Sequence, residues 1–431
     1  MNRRIITLSA KEGYLNILEE HFRGKTYILL NSNDWAEEFD QIIGADTIDE
    51  LPLSHENPFE ELKNYHALHK DWLFGYFSYD LKNSLENLKS ENEDNLDFPE
   101  IHFFRPVFLI LIKQGEIQIH FHDTQENIIK AKELLKVLEE KQQKNQPLKD
   151  SPVKDICQKI NKKEYIDKVL GIKKHIQKGD IYEMNFCQEF FANNVEIQTF
   201  ELYSRLNNIS PMPFSCYMHH KDKYLLCASP ERYLKKKSNM IISQPIKGTI
   251  KRGENEQEDL LLINQLKESQ KEQSENVMIV DLVRNDLSKT ATRGSVKVDE
   301  LFAVKTFKQV HQMVSTISSE LKPELSFSEA IKTTFPMGSM TGAPKIRAME
   351  IIEDFETTKR GLFSGAVGYI SPEGDFDFNV VIRSILYNAV NKYLSFMIGG
   401  AITIHADPEK EYEECMLKAK AIFAALNYKE L

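Results

Sequence analysis

The sequence offers no paired cysteines. Its five, Cys157, Cys187, Cys216, Cys227 and Cys415, are odd in number, scattered, and never spaced as Cys-x-x-Cys. Neither a disulfide framework nor a thiolate zinc site is indicated. Long apolar runs are missing too. No stretch of about 18 uninterrupted apolar residues occurs, so no membrane span is expected. The opening segment, from Met1 to Glu20, has no apolar run long enough for a signal peptide. Excess positive charge is absent: the formal net charge is −10, which disfavours nucleic-acid binding through a basic surface. There is no internal repeat and no low-complexity tract. A location in a reducing cytoplasm is expected from these absences.

What is present is a chain of 431 residues, 41% hydrophobic, long enough to bury a large core in one big domain or two to three ordinary ones. Trp72 to Tyr79 is short, aromatic and strand-like. Pro106 to Ile112 and Glu116 to Phe121 read as a hairpin turning near Gly115. A charged helix is expected over Glu126 to Lys144. The polar stretch Gln142 to Pro152, with two prolines, is the expected linker between an N-terminal β-rich region, 1–150, and a second region, 155–431. A helix over Lys162 to Gln177 is framed by a capping box, Asn161 with Glu164, and stopped by Gly179. Strands follow at Cys216–Met218, Tyr224–Ala228 and Met240–Ile242, then a long helix over Glu256–Asp281. Further helices are expected near Glu329–Thr334 and Pro344–Asp354. Ala366–Ile370 should pair with Phe376–Tyr387 across Pro372–Gly374, Tyr393–Thr403 adds a strand, and Glu409–Leu426 is a terminal helix. Strands run in blocks with helices between the blocks, so the fold class is α+β with packed antiparallel sheets.

Several residues could carry chemistry. Glu411, Glu414 and Lys418 share one face of the terminal helix, and Glu272 and Glu275 repeat the acidic spacing on the long helix. Either two solvated faces or, if the helices meet, a carboxylate cage for a hard cation such as Mg²⁺ satisfies that spacing. Lys247, in Gln-Pro-Ile-Lys-Gly-Thr, is either a turn lysine in water or a desolvated nucleophile. Glu231 is either a general acid or a partner of Arg232. Gly338 to Lys345 is a small-residue turn entering a helix, suited to an anion but without the spacing of a nucleotide-binding P-loop. Gly399, Gly400 and Ala401 could admit a ligand to the backbone or simply bend a strand. Arg383, on an otherwise apolar strand, needs a carboxylate from protein or substrate. His311 reads by default as a satisfied core histidine.

Four blocks in order then carry a resemblance: Ser274 to Leu287, Phe335 to Lys345, Arg360 to Gly368 and Asp407 to Cys415. They resemble the chorismate-binding enzymes, which include the first components of anthranilate and aminodeoxychorismate synthases and the isochorismate and salicylate synthases. The likeness spans about Asn161 to Leu426, and Trp72 to Tyr79 and Phe98 to Pro106 add a weaker one. It implies two large antiparallel sheets packed as a sandwich with helices outside. It implies Mg²⁺ on Glu275 and Glu414, with Glu272 and Glu411 beside them. The substrate's ring carboxylate would lie at the metal, Lys418 and the backbone of Gly399, Gly400 and Ala401. The enolpyruvyl carboxylate would lie on Arg383, with Ser339 and His311 near the ring, and Glu231 would be the acid that protonates the departing C4 hydroxyl. Two positions depart from many relatives: Phe363 replaces a tyrosine, and Ala401 replaces a glycine.

Within the family the nucleophile distinguishes the branches. The water-adding enzymes carry a base lysine where this chain has Glu183, and anthranilate synthases usually have alanine where it has Lys247. The Pro-Ile-Lys-Gly-Thr form resembles the branch that aminates chorismate at C4, with anthranilate synthase component I as the alternative. No Gly-x-Cys-x-Gly glutaminase turn occurs, so the resemblance implies ammonia from a separate glutamine amidotransferase subunit.

Overall fold

The computed structural model describes residues 3–35, 37–53, 57–140 and 153–428. The expected linker, Gln142 to Pro152, and the end of the preceding charged helix lie outside the described residues; that helix is seen as Gln125–Glu140. The aromatic stretch at Trp72 forms the strand Leu73–Phe77. The hairpin is Ile101–Lys113 against Glu116–His122. It turns at Gly115, whose φ of 77° lies where a side chain is disfavoured. The capping box is formed: Asn161 Oδ1 accepts from Glu164 N at 3.0 Å and Glu164 Oε2 accepts from Asn161 N at 2.8 Å, opening the helix Lys162–Lys178. Gly179 ends it with φ 81°.

The fold is α+β, and every ladder between the named strands is antiparallel. Among the described residues, 20 strands join in one continuous hydrogen-bonded network. Ladders link strands that are far apart in sequence: Tyr27–Asn31 pairs with Phe214–His220, and Leu73–Phe77 pairs with Ala366–Ile370. At one place three phenylalanines lock the elements that matter most below. Phe190 and Phe396 stack with ring centroids 5.1 Å apart, and Phe423 meets both edge-on. They bind the strand Glu183–Ala192, the strand Tyr393–Thr403 and the terminal helix Pro408–Ala425 into one block. Each such buried ring stabilises by roughly 1.5–3 kcal/mol.

Two expected elements are broken. The helix expected over Glu256–Asp281 is two helices, Glu256–Glu268 and Gln270–Ser288. Ser269 between them is extended, and its side chain accepts from Glu272 N at 3.4 Å. A serine hydroxyl that caps a new helix competes with continuation of the old one. The strand expected over Phe376–Tyr387 is also two, Phe376–Val380 and Ser384–Asn388. The first pairs with Ala366–Ile370 and the second with Lys223–Ser229, so the chain changes partners between them. Arg383 stands at the break with φ 50°.

Candidate active site

Two helices supply the acidic wall of a cavity. Glu272 and Glu275 reach it from Gln270–Ser288, and Glu411, Glu414 and Lys418 from Pro408–Ala425. The Ser269 break puts Glu272 in a first turn. Asp407, which accepts from Glu409 N and Lys410 N, does the same for Glu411, and a helix N-terminus favours negative charge there. Two lysines stand among the carboxylates. Lys271 Nζ lies 3.3 Å from Glu411 Oε1 and 3.9 Å from Glu275 Oε1; Lys418 Nζ lies 2.8 Å from Glu414 Oε1 and donates to Gly399 O at 3.1 Å. Glu275 Oε1 is buried and has no hydrogen-bond partner among the described residues. Desolvation lifts the Glu275 carboxyl to about 7 and raises Glu272 and Glu411 as well, whereas Lys418 holds Glu414 below its ordinary value. Four carboxylates on facing helix ends, one with an orphaned oxygen, are the hard donors that a divalent cation such as Mg²⁺ takes.

Beside the acidic wall, the same cavity is lined by Lys247. The strand Ile246–Lys251 pairs with Val310–Glu320, but its register slips between Ile246 and Thr249. Such irregularities re-aim side chains beside functional sites. Gly248 takes φ 92°, and a Cβ there would meet Glu272 Oε2 at 3.0 Å, so a side chain would crowd the acidic wall. Lys247 is half-buried and lines the cavity. Its charge favours the ionised forms of Glu183, Glu231, Glu272, Glu275 and Glu414, and it makes no close ion pair with any one of them.

Glu231 is buried, and Ser339 Oγ donates to its Oε1. Desolvation pushes its carboxyl up to about 7 against the pull of Ser339 and Lys247. It is not the partner of Arg232, whose guanidinium is held by Asp377 at 2.9 Å and Glu37 at 2.6 Å. Arg383 also lines the cavity, and burial lowers its pKa. No carboxylate holds its guanidinium at contact distance among the described residues; the break in its strand turns it from the ladder towards the cavity. Gly399, Gly400 and Ala401 line the floor and pair with Cys187, Phe186 and Asn185. A Cβ at Gly399 would lie 2.2 Å from Phe186 O, so this approach of strands requires glycine. The buried Phe363 lines the cavity too.

His311 behaves differently. It is fully buried, with Nδ1 2.9 Å from Thr306 Oγ1 and Nε2 3.0 Å from Asp259 Oδ1, and it is not among the lining residues. Its neighbour Gln312 is, because adjacent side chains of a strand point to opposite faces. Sequence reasoning also passed over Lys271, Asn185 and Cys187, which line the cavity. The i,i+4 spacing of Lys271 and Glu275 was a usable signal for the first. The loop Gly338–Met340 is tied in by the buried Arg360, which donates to Met340 O and Asn185 O and is paired with Glu356. Lys345 Nζ pairs with Asp286 at 2.5 Å, so the side chain entering the helix Lys345–Phe355 is committed away from an anion. Two residues before Asn185, Glu183 is buried, and its Oε2 has no hydrogen-bond partner among the described residues.

A cavity with a carboxylate cage at one end and an arginine, a lysine and a buried acid along its walls suits a small polyanion. Over residues 23–424 the sequence matches the family model of the chorismate binding enzyme. The chain belongs to the chorismate binding enzymes. That match takes in every cavity residue named above. The chain is 44% identical over 264 residues to the "probable aminodeoxychorismate synthase, chloroplastic" of Oryza sativa subsp. japonica, covering 61% of this chain and 29% of that protein. It is 31% identical over 364 residues to aminodeoxychorismate synthase component 1 of Bacillus subtilis (strain 168), covering 83% of this chain and 77% of that one. Among solved structures, anthranilate synthase component I from Streptococcus pneumoniae TIGR4 superposes with a TM-score of 0.76 at 27% identity, covering 97% of this chain and 91% of that one. The α+β fold is therefore that of the chorismate binding enzymes. No helix among the described residues is long and apolar enough to cross a membrane.

Proposed function

We propose that this chorismate binding enzyme aminates chorismate at C4 to give 4-amino-4-deoxychorismate, the precursor of p-aminobenzoate in folate biosynthesis. One observation carries the reading: the Lys247 amine, committed to no single carboxylate, shares a cavity with the buried Glu231 carboxyl. Replacing oxygen by nitrogen at C4 with retained stereochemistry takes two displacements. The Lys247 amine attacks C2 while Glu231 protonates the hydroxyl that leaves C4 as water. Ammonia then attacks C4 as the Lys247 amine leaves C2, and the proton given up by the incoming nitrogen restores the acid.

The other side chains hold the substrate in place. Arg383 takes the enolpyruvyl carboxylate bidentately. Lys418 and the backbone at Gly399, Gly400 and Ala401 take the ring carboxylate, and Ser339 keeps Glu231 oriented. Glu275 and Glu414, with Glu272 and Glu411 beside them, would hold Mg²⁺, which when bound neutralises the ring carboxylate. Buried Glu183 supports amination over hydration, since it stands where the water-adding relatives carry a base lysine. The nitrogen comes from a partner glutamine amidotransferase, in keeping with the "component 1" in the name of the Bacillus subtilis relative. We place the enzyme in the reducing cytoplasm, which suits its five free thiols.

The test is a product assay with chorismate, Mg²⁺ and ammonium that resolves para from ortho amination. The para product is expected; anthranilate as the main product would replace this reading by that of an anthranilate synthase component.

A further inference from the structure

Away from the cavity, two buried imidazoles meet in an arrangement that hydrogen bonding leaves incomplete. His102 lies on the strand Ile101–Lys113 and His220 ends the strand Phe214–His220; both are less than 10% exposed. Their ring centroids are 3.8 Å apart with the planes tilted by 32°. His102 Nε2 is buried with no hydrogen-bond partner among the described residues. An unpaired buried nitrogen costs about 1–3 kcal/mol, so a fold that keeps one has something to gain from it. Glu50 ends the strand Gln41–Glu50 and brings a carboxylate to the same place, with Oε1 3.9 Å from His220 Nδ1. One ligand atom from each of Glu50, His102 and His220 lies within 4.8 Å of the other two. Thr26 Oγ1 stands 3.1 Å from His220 Nδ1 and orients that ring.

We infer that Glu50, His102 and His220 form a second metal site, selective for a divalent cation of the zinc class. Two imidazoles and one carboxylate are borderline donors, softer than the all-oxygen cage at Glu275 and Glu414, and they suit Zn²⁺ rather than Mg²⁺. Three protein ligands leave a fourth position for water, and the Glu50 side chain, 36% exposed, lies on the solvent side. Lys221 Nζ, 3.8 Å from Glu50 Oε2, is the nearby cation that the metal displaces; at 70% exposure it has water to move into. The three ligands come from three strands that are distant in sequence, so a bound ion would pin strand ends of the N-terminal segment to Phe214–His220. None of the three residues lines the active-site cavity.

The experiment uses the full chain carrying Glu275→Gln and Glu414→Gln, so that the carboxylate cage does not report. After equilibration with Zn²⁺ and gel filtration, metal content is measured by mass spectrometry, and Co²⁺ is added to a parallel sample. One equivalent of zinc is expected, with a rise in Tm and, for Co²⁺, the intense visible bands of a four-coordinate nitrogen-containing site. His102→Phe, which keeps a ring of similar size among aromatic neighbours, should abolish retention. Glu50→Gln, at a partly exposed position that leaves the core untouched, should weaken Zn²⁺ binding roughly tenfold or more. Absence of retained zinc, or retention that neither substitution changes, would overturn the site.

Discussion

A lysine that attacks carbon needs an amine not already tied to one carboxylate, and Lys247 meets that need because the bulge before Thr249 lifts it out of the ladder. Lys247→Ala removes the nucleophile and leaves Glu231, Arg383 and the carboxylates in place. Para amination should fall by roughly two orders of magnitude or more while chorismate still binds, read by product chromatography and calorimetry. Some ortho product from direct attack of ammonia on C2 is compatible with this; an undiminished para rate would sink the nucleophile assignment. Glu231 yields a pH dependence of fixed sign. Its carboxyl titrates near 7, raised by desolvation, and it works as an acid only when protonated. The rate should therefore fall as pH rises through about 7, and a pH–rate profile without that limb would remove Glu231 from the acid role. Stability follows the same sign. A carboxyl whose folded pKa lies above its unfolded value of about 4.3 contributes fully below that value and loses the contribution as pH rises through 7. With EDTA present, Tm is compared between the chain and Glu231→Gln across pH 5 to 8: the chain's Tm should fall relative to the variant's as pH rises, because the other shifted groups, Glu275 among them, are common to both proteins. At this scale the sequence was informative for residues whose type is unusual for their setting, such as a lysine between proline and glycine. For His311 the default reading as a satisfied core histidine agrees with its fully buried, doubly bonded ring, whereas the place near the substrate ring was implied only by the resemblance.

Helices and strands position these groups through their breaks as much as through their lengths. Ser269 starts a second helix where a single one was expected, which puts Glu272 in a first turn facing Gly248. The interruption at Arg383 turns an arginine out of an apolar strand. The caps and the hairpin were legible because Asn161, Glu164, Gly179 and Gly115 act on their own neighbours. The two breaks were not, because each depends on which distant strand or helix the chain meets next. The facing of Gln270–Ser288 and Pro408–Ala425 makes a prediction. Glu275→Gln or Glu414→Gln removes a charged oxygen from the cage and should abolish most activity, with the half-saturating Mg²⁺ concentration raised where turnover remains. The chain should stay folded, since Glu275 is held in a cavity that already disfavours its ionised form. Normal turnover by either variant at limiting Mg²⁺ would refute the ligand set.

Over the whole molecule, ladders tie the first hundred residues to the last hundred: Leu73–Phe77 pairs with Ala366–Ile370, and the strand beside the latter, Phe376–Val380, leads into the break that holds Arg383. The proposed division at 150 is thus a division of sequence across which strands continue to pair. The nitrogen supply is tested at this scale. The isolated chain should aminate chorismate with high ammonium and not with glutamine, and a partner glutaminase should restore glutamine use; sustained glutamine-dependent amination by the chain alone would end the two-subunit reading. The sequence by itself determined the α+β class, the caps and turns, and the residue types of the site, because these rest on composition, on spacing and on groups that act within a few positions. Only the tertiary structure decided that the two acidic helices meet, that Glu231 is buried against Ser339 rather than paired with Arg232, that His311 faces away, and that Glu50, His102 and His220 converge. Each of these joins residues tens to hundreds of positions apart, and contacts of that range are set by the pairing of strands and the packing of the core, which no local spacing encodes.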